Sequence, residues 1–251
     1  MIMLLIRLGR LLLQTAVRCA TYAVPPKCLR RWLRSESISQ SIFILAHPDD
    51  EIFCAGLICE LRRRQIPIHL VFLTRGEGAC QPDLPSDEIA KVRTEEARRS
   101  ASLLGVDAVT FLDLPDKPQV NISPMLLQDQ IPEAFQKSSL IVTHGSCGEY
   151  GHKSHIALYR AVKTAALNSP QTPSVLGMNA WRPKATIPQI INREDRAELT
   201  LDASPFEGQR LKSLQAHESQ EYVFQGFVRG SSRNFINSTN KEYYSITVRA
   251  A

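Results

Sequence analysis

The chain has 251 residues, 43% of them hydrophobic, and this length fits one α/β domain with a large buried core. Its six cysteines form no CxxC pair and no dense framework, which argues against a disulfide-rich secreted scaffold and favours a reducing, cytoplasmic location. The formal net charge of +5 is unevenly distributed, because residues 1–34 contain seven Lys or Arg and no acid. The other 23 basic residues are balanced by 25 acidic ones, so no nucleic-acid-binding face is predicted.

The first twenty residues predict an amphipathic helix with a narrow basic stripe. On a helical wheel, Arg7, Arg10, Gln14 and Arg18 fall within about 80° of one another, and apolar residues occupy the rest. The longest uncharged run, Leu11–Val17, is much shorter than the ~20 residues that a membrane-spanning helix needs. Three interpretations stay open: peripheral contact with an anionic membrane, packing on the domain or a partner, and an organellar transit peptide.

The rest of the chain alternates between strand and helix patterns. Pro25 and Pro26 end the first helix, and a linker is predicted to follow, so we divide the chain into an extension and linker, 1–38, and a domain, 39–251. The alternation predicts a Rossmann-like α/β fold, with a mostly parallel sheet and helices on both faces.

Predicted strands lie in Ser41–Glu51, Pro67–Thr74, Ala108–Leu114, Leu140–Thr143, Ser174–Trp181 and, as an edge strand, Tyr243–Val248. Predicted helices lie in Glu51–Arg64, Ser86–Gly105, Leu126–Lys137, Ile156–Leu167 and Phe206–Gln220. The charged residues of Ser86–Gly105 are interpreted as a solvated face, and Arg182–Ser204 as a substrate-side loop.

The sequence SIFILAHPDDE, Ser41–Glu51, reads as a buried strand that ends in a polar site. Ligands of open α/β sheets bind at the carboxyl ends of such strands, which is where His47, Asp49 and Asp50 fall. In one interpretation an Asp merely caps the following helix. In the other, His47 and Asp50 bind a divalent metal ion, and Asp49 stays uncoordinated and acts as a base.

A second polar cluster follows the predicted strand Leu140–Thr143 and has the sequence HGSCGEYGHKSH, His144–His155. His152 and His155 are three residues apart at the start of a helix, so both imidazoles can face one site. Two such histidines in isolation are more often surface or capping residues. Because this cluster also follows a strand, however, it can converge with HPDDE on one point.

Together, these motifs resemble the LmbE-like, or PIG-L, family of metal-dependent N-deacetylases. The resemblance runs from Ile42 to Gln220 and rests on AHPDDE, TRGEG, RTEEARRSASLLGV, FLDLPD, GEYGHKSH and KSLQAHESQ, which occur in the family's order. AHPDDE with a GHxxH about a hundred residues later carries most of the specificity.

The resemblance implies a Zn²⁺ site, with another divalent ion such as Fe²⁺ as an alternative. It implies that His47, Asp50 and His155 are the metal ligands. It implies three catalytic residues: Asp49 as the general base, His152 as a second acid or base or an electrostatic group, and Tyr150 as an oxyanion-stabilising hydroxyl. Ser154 stands where many bacterial relatives carry an Asp that could orient the neighbouring histidine. His217 is expected to fix its helix rather than to bind metal.

The resulting prediction is a hydrolase that removes the N-acetyl group from an N-acetylated amino sugar in a glycoconjugate or glycolipid. An amide is a poor electrophile, so such an enzyme needs a metal ion, a base and an acid, and the two clusters supply these residue types. Two alternatives stay open: an amidase for another acyl amide, and a catalytically silent membrane-surface binding module.

Overall fold

The structure is a computed structural model that describes residues 25–79, 84–117, 122–180, 197–228 and 230–250. The predicted N-terminal amphipathic helix and most of the predicted loop Arg182–Ser204 lie outside these residues. None of the helices within the described ranges is both long and apolar enough to cross a membrane.

In the described ranges, eight strands form one sheet of order β1-β7-β8-β6-β5-β2-β3-β4. The strands are β1 Lys27–Cys28, β2 Ser41–Leu45, β3 Ile68–Phe72, β4 Ala108–Phe111, β5 Leu140–Thr143, β6 Ser174–Met178, β7 Leu199–Asp202 and β8 Lys241–Val248. Strands β6, β5, β2, β3 and β4 pair in parallel, and β8 pairs antiparallel with β6 and β7. The predicted mostly parallel α/β sheet is therefore confirmed.

Helices cover both faces of this sheet. They are α1 Leu29–Ser35, α2 Ala55–Arg63, α3 Ser86–Leu104, α4 Pro124–Gln130, α5 Pro132–Lys137, α6 Lys153–Leu167, α7 Glu207–Gln215, α8 Glu221–Val228 and α9 Ser232–Ser238. Residues of α1, α2 and α3 pack in one apolar cluster, and residues of α4, α5 and α6 pack in a second one. Three short 3₁₀ segments, Asp50–Cys54, Ser204–Phe206 and Glu218–Gln220, and a helical turn, Gly148–Gly151, complete the described fold.

Strand β2 is buried on both faces, as its continuous apolar run predicts. Phe43 and Leu45 belong to the first apolar cluster, whereas Ile42 and Ile44 belong to the second. The strand lies between β3 and β5, and the chain builds the sheet outward from it in two opposite directions. This reversal of strand order is a topological switch point, where a crevice opens at the carboxyl ends of the strands. The polar clusters after β2 and β5 both lie at this crevice.

The structure corrects some details of the prediction. The predicted edge strand Tyr243–Val248 is wrong in position, because β8 lies inside the sheet between β6 and β7. The predicted helix Leu126–Lys137 is two helices, divided at Pro132, since proline has no N–H to donate within a continuing helix.

Two further findings concern burial. Arg93 and Glu96, in the charged helix α3, are 4% and 2% exposed, so part of its charge run is buried rather than solvated. Strand β1 pairs with β7, and Leu29 and Leu33 of α1 are buried in the core. Residues that precede position 39 therefore contribute to the same packed unit.

Candidate metal centre

The loops after β2 and β5 bring the three predicted ligand residues together. His155 Nε2 lies 3.3 Å from His47 Nδ1 and 3.4 Å from Asp50 Oδ1, and His47 Nδ1 lies 3.4 Å from Asp50 Oδ2. Ligand atoms bound about 2.0–2.1 Å from a tetrahedral metal ion lie about 3.3 Å from one another. The two ring nitrogens and the two oxygens of the Asp50 carboxylate are thus spaced like the ligand atoms of such a site.

Each of the two histidines has a carboxylate at its other ring nitrogen. His155 Nδ1 is 2.6 Å from Glu149 Oε2, and His47 Nε2 is 3.3 Å from Asp116 Oδ1. A carboxylate accepts a hydrogen bond from the N–H of the ring nitrogen it faces, so in the neutral ring the opposite nitrogen carries the lone pair. Two lone pairs 3.3 Å apart repel each other unless a proton or a metal ion lies between them. The residues present therefore fit a metal ion.

His144 lies in the same cluster but has its ring nitrogens occupied. Ala46 N–H donates to His144 Nε2 at 3.0 Å, and His144 Nδ1 faces Glu149 Oε2 at 3.0 Å. Asp50, His144 and His155 also lie within ligand distance of one another, as do His47, His152 and His155. Because the Nε2 lone pair of His144 already accepts from a backbone N–H, we assign this residue to the support of the site.

The charges around the cluster attract a cation. Burial disfavours the imidazolium form of His47, but contacts with Asp116 and Asp50 outweigh it and raise the pKa of His47 to about 10. Burial opposes ionisation of Glu149 as well, yet His144 and His155 lower its pKa to about 2. A metal ion bound here would compete with protons for the same nitrogens.

Asp49, the predicted base, lies beside this cluster in an unusual backbone conformation. Its φ is +102°, in a region that residues with a side chain rarely adopt. Arg93 Nη2 donates to Asp49 Oδ2 at 2.9 Å and also to the carbonyl of Pro48. Burial raises the pKa of Asp49 to about 6, although the charge of Arg93 opposes this rise. A carboxylate with a pKa near 6 is suited to accept a proton near neutral pH.

His152 and Tyr150 face the cluster from the turn before α6. The ring of Tyr150 is 5.7 Å from that of His155 and 5.8 Å from that of His152. Burial and the nearby His155 and His47 lower the pKa of His152 to about 4. Burial, followed by the charges of Asp50 and Asp49, raises the pKa of Tyr150, so its hydroxyl remains a neutral donor. All six predicted site residues therefore meet in one place.

A pocket of about 280 Å³ opens over these residues. One side of the pocket is polar and includes Lys117, Arg93 and Gln220 besides the cluster itself. The other side is apolar and is formed by Phe53, Tyr150, Val223, Phe224 and Phe227. A small polar recess with an apolar wall is the common form of a site for a small organic ligand.

Sequence reasoning missed four residues that shape this site: Glu149, His144, Asp116 and Arg93. All four stand inside motifs quoted above: HGSCGEYGHKSH contains His144 and Glu149, FLDLPD ends at Asp116, and RTEEARRSASLLGV begins at Arg93. Spacing alone does not show which carboxylate meets which imidazole, and the role of Arg93 depends on how α3 packs against the HPDDE loop.

The comparisons with known proteins bear on this geometry. The model of the family described as PIG-L, GlcNAc-PI de-N-acetylase, matches residues 42–166, which include both polar clusters. The chain carries a PIG-L family domain over this stretch. A 1D-myo-inositol 2-acetamido-2-deoxy-alpha-D-glucopyranoside deacetylase from Mycobacterium sp. (strain JLS) is 26% identical to it over 254 positions, covering 82% of each chain. The family and the N-deacetylase class predicted from the sequence are thus confirmed.

Solved structures agree on the fold. The N,N'-diacetylchitobiose deacetylase from Pyrococcus horikoshii has a TM-score of 0.63 at 16% identity, over 84% of each chain. The 4-carboxy-2-hydroxymuconate hydratase from Pseudomonas putida KT2440 has a TM-score of 0.61 at 18% identity, over 79% of this chain and 83% of that one. A deacetylase and a hydratase share this architecture, so the reaction has to be argued from the site.

Proposed function

We propose that this chain removes the N-acetyl group from an N-acetylglucosamine unit of a glycoconjugate or glycolipid. The observation that carries the proposal is that the nearest ligand atoms of His47, Asp50 and His155 lie 3.3–3.4 Å apart, beside the partly buried carboxylate of Asp49. The substrate class rests on the family model and on the mycobacterial relative, both of which are named for deacetylation of a glucosamine-inositol compound.

In this proposal, His47, Asp50 and His155 hold Zn²⁺. Two imidazoles and one carboxylate are a donor set that suits zinc and leaves room for water and for a substrate oxygen. When bound, the ion would polarise the amide carbonyl and lower the pKa of a water molecule toward neutrality. Fe²⁺ is the alternative ion for the same three ligands.

Asp49 would accept the proton of the attacking water. Its carboxylate is partly buried next to the ligands and held by Arg93, so its position is set before the substrate arrives. Its pKa of about 6 lets it be ionised at neutral pH and still hold a proton during turnover. The same carboxylate would then deliver that proton to the departing amine nitrogen.

Tyr150 and His152 would serve the developing oxyanion and the leaving group. The raised pKa of Tyr150 keeps a proton on its oxygen, as an oxyanion donor requires. The pKa of about 4 for His152 means that its ring is neutral near pH 7. This favours His152 as a neutral hydrogen-bond donor rather than as a permanently charged acid.

We also propose peripheral membrane contact through residues 1–20, at a cytoplasmic location. The basic stripe and the apolar remainder of that segment support the first part. The second part is supported by Cys28, Cys54 and Cys59, which are free thiols in the structure. No nucleic acid is proposed as a partner.

The function is tested by acetate release from three kinds of substrate. The purified protein, loaded separately with Zn²⁺ and Fe²⁺, is given a soluble N-acetylglucosaminide, an N-acetylglucosaminyl phosphoinositide in mixed micelles, and a simple N-acyl amino acid. We expect acetate from the sugars and little from the N-acyl amino acid. Faster hydrolysis of the N-acyl amino acid would favour the amidase alternative, and no release from any substrate would favour the silent binding module.

The roles within the site are tested by two substitutions. His155→Ala should remove most of the bound metal, because it deletes a ligand. Asp49→Asn should keep the metal and lose turnover, because the side chain keeps its shape but loses the base. Metal content is measured by plasma mass spectrometry on the same samples used for activity. Equal metal loss in both variants would contradict these roles.

A further inference from the structure

The carboxylate of Glu51, the last residue of HPDDE, is completely buried and binds three separate segments of the chain. His217 Nε2 lies 2.5 Å from Glu51 Oε1, and the hydroxyl of Ser100 donates to the same oxygen at 2.5 Å. The other oxygen, Oε2, accepts the backbone N–H of Asp49 at 3.0 Å. One side chain thus links α3, the loop after α7 and the backbone of the proposed base.

The backbone of Asp49 needs such an anchor. Its φ of +102° is strained for a residue with a side chain and persists only when neighbouring contacts enforce it. Arg93 holds the carboxylate of Asp49, and Glu51 holds its N–H, so the residue is fixed at both ends. Loss of either contact would let the chain relax toward an ordinary conformation and move the carboxylate.

His217 lies outside the pocket and acts on Asp49 only through Glu51. It is completely buried and does not line the pocket over the metal centre, and its side chain contacts Glu51. Its position is set by α3, since Glu96 of that helix accepts the N–H of Ser219 at 2.7 Å and its hydroxyl at 2.6 Å. The expectation that His217 fixes its own helix therefore describes only part of its contacts.

We propose that Glu51 and His217 are positioning residues that hold Asp49 in its catalytic orientation. His217 orients the carboxylate of Glu51, and Glu51 in turn fixes the N–H of Asp49. The inference rests on the proposed function, because it takes Asp49 to be the base. It goes beyond that proposal by assigning a kinetic effect to a buried pair outside the pocket.

The experiment compares Glu51→Gln, His217→Leu and His217→Gln with the unchanged protein, all loaded with Zn²⁺. In Glu51→Gln, the side-chain NH₂ faces one of the groups that now donate a hydrogen bond to the carboxylate, so that hydrogen bond is lost. Leucine at 217 removes the donor, whereas glutamine at 217 can still donate to Glu51. We expect kcat to fall about 10- to 100-fold in Glu51→Gln and His217→Leu, with partial recovery in His217→Gln, because small misplacements of a reacting group have effects of this size.

Three further measurements separate positioning from a merely structural role. KM and the metal content per chain should stay within twofold of the unchanged protein, since no pocket residue or ligand is altered. The double variant Glu51→Gln/His217→Leu should be no slower than the slower single variant, because both act through one contact.

Ser213→Ala is the matched control. The hydroxyl of Ser213 is buried in the same network, 2.7 Å from that of Ser100, but does not touch Glu51. It should keep kcat within twofold.

The outcomes are distinguishable. Ser100→Ala removes a single hydrogen bond to Glu51 and serves as a milder variant if the stronger substitutions prevent folding; a kcat equal to that of Ser213→Ala would then overturn the inference. The inference is also overturned if Glu51→Gln and His217→Leu keep full kcat, or if they lose metal in proportion to activity. If Asp49→Asn itself keeps full activity, the proposed base is wrong, which is a failure of the proposed function.

Discussion

Glu149 Oε2 lies 2.6 Å from His155 Nδ1, and this contact turns the opposite nitrogen of the ring toward Asp50 and His47. The same carboxylate accepts the N–H of Gly145 at 2.8 Å. Glu149 adopts a φ of +58°, so the turn that carries it is bent to bring its side chain back into the site. The orientation of a proposed metal ligand is thus determined by a residue six positions earlier in the chain.

The first prediction is that Glu149→Gln lowers the affinity for Zn²⁺. Without the carboxylate, the ring of His155 is less firmly held and its nitrogen is a weaker ligand for the metal ion. Loss of such a partner typically lowers metal affinity about 10- to 100-fold. Competition titration with a chromophoric chelator measures this change. Glu133→Gln, at an exposed acid paired with Lys137, is the control and should bind Zn²⁺ normally. Unchanged affinity in Glu149→Gln would show that the contact does not tune the metal centre.

The second prediction concerns the hydroxyl of Tyr150. Tyr150→Phe keeps the ring, which is packed 6.0 Å from that of Phe227, and removes only the donor. We expect kcat to fall about 100-fold, as for other oxyanion donors, with little change in metal content. Phe227→Ala is the useful contrast, since it removes part of the apolar wall and should raise KM more than it lowers kcat. An unaltered kcat in Tyr150→Phe would place the oxyanion donor elsewhere.

The third prediction concerns His152, whose Nδ1 is buried and has no hydrogen-bond partner among the described residues. The hydroxyl of the neighbouring Ser154 is likewise buried without a described partner. His152→Ala should lower kcat by about 10²–10³-fold, the usual range for loss of one hydrogen-bond donor to the developing oxyanion, while most of the metal stays bound. Full activity in this variant would contradict a catalytic role.

Ser154→Asp tests the charge state of His152. A carboxylate beside the ring favours the imidazolium form and should raise the pKa of His152 from its low value near 4. If the ring acts as an acid, activity is lost as pH rises through this pKa, so the basic limb of the pH profile should move upward. Ser154→Asn is the uncharged control. A limb that does not move would indicate that His152 works as a neutral donor.

Much of this site could be predicted from the sequence because its residues directly follow the ends of parallel strands. A run such as Ser41–Leu45 can only be a central strand, and both polar clusters follow strands of the same parallel block. Parallel strands carry their carboxyl ends to one edge, so convergence of His47, Asp50 and His155 follows from topology.

The contacts between side chains could not be predicted in the same way. The pairing of Asp116 with His47 depends on the loop after β4, and that of Glu51 with His217 depends on where α7 ends. Periodicity assigns a residue to a face of an element, but it does not say which carboxylate meets which imidazole across elements. The position of β8 was wrongly predicted for the same reason, because its pairing with β6 and β7 joins segments that are far apart in the sequence.

The fourth prediction concerns stability and uses Glu60, which lies away from the metal centre. Its carboxylate meets Arg30 Nε at 3.0 Å, Arg63 Nη2 at 2.7 Å and Arg64 Nε at 2.8 Å. Burial opposes ionisation, but these arginines outweigh it and lower the pKa of Glu60 to about 2. Glu60→Gln should therefore lower the free energy of unfolding at pH 7 by about 1–3 kcal/mol, a reduced value because Arg63 is 59% exposed and solvent screens it.

The sign of the pH dependence follows from the depressed pKa. The stabilisation by Glu60 is fully present above its unfolded pKa, near 4.5, and is lost as pH falls toward 2. Urea titrations of the two proteins at several pH values should therefore give a difference that is largest at neutral pH and shrinks below pH 4.5. A difference that stayed constant from pH 7 to pH 2.5 would show that the effect is packing rather than charge.

The fifth prediction concerns the N-terminal extension and requires a suitable truncation point. Leu29 and Leu33 of α1 are buried in the core, and β1 is paired with β7, so removal of residues up to 38 would damage the fold. A protein that begins at Pro25 keeps both elements. It should fold, bind Zn²⁺ and hydrolyse a soluble N-acetylglucosaminide at the rate of the full chain.

The full chain should sediment with anionic vesicles, and the protein that begins at Pro25 should not. The sequence predicts that Arg7, Arg10 and Arg18 share one stripe of a helix, and each Arg near an anionic surface adds about 1 kcal/mol of attraction. Their joint replacement by Gln should weaken sedimentation chiefly at low salt, because ions screen this attraction within about 10 Å at 0.1 M. Neutral phosphatidylcholine vesicles are the control, and binding to them should be weak for all three proteins. If the full chain ignores anionic vesicles, the extension does not bind membranes and the transit-peptide or packing interpretation takes its place.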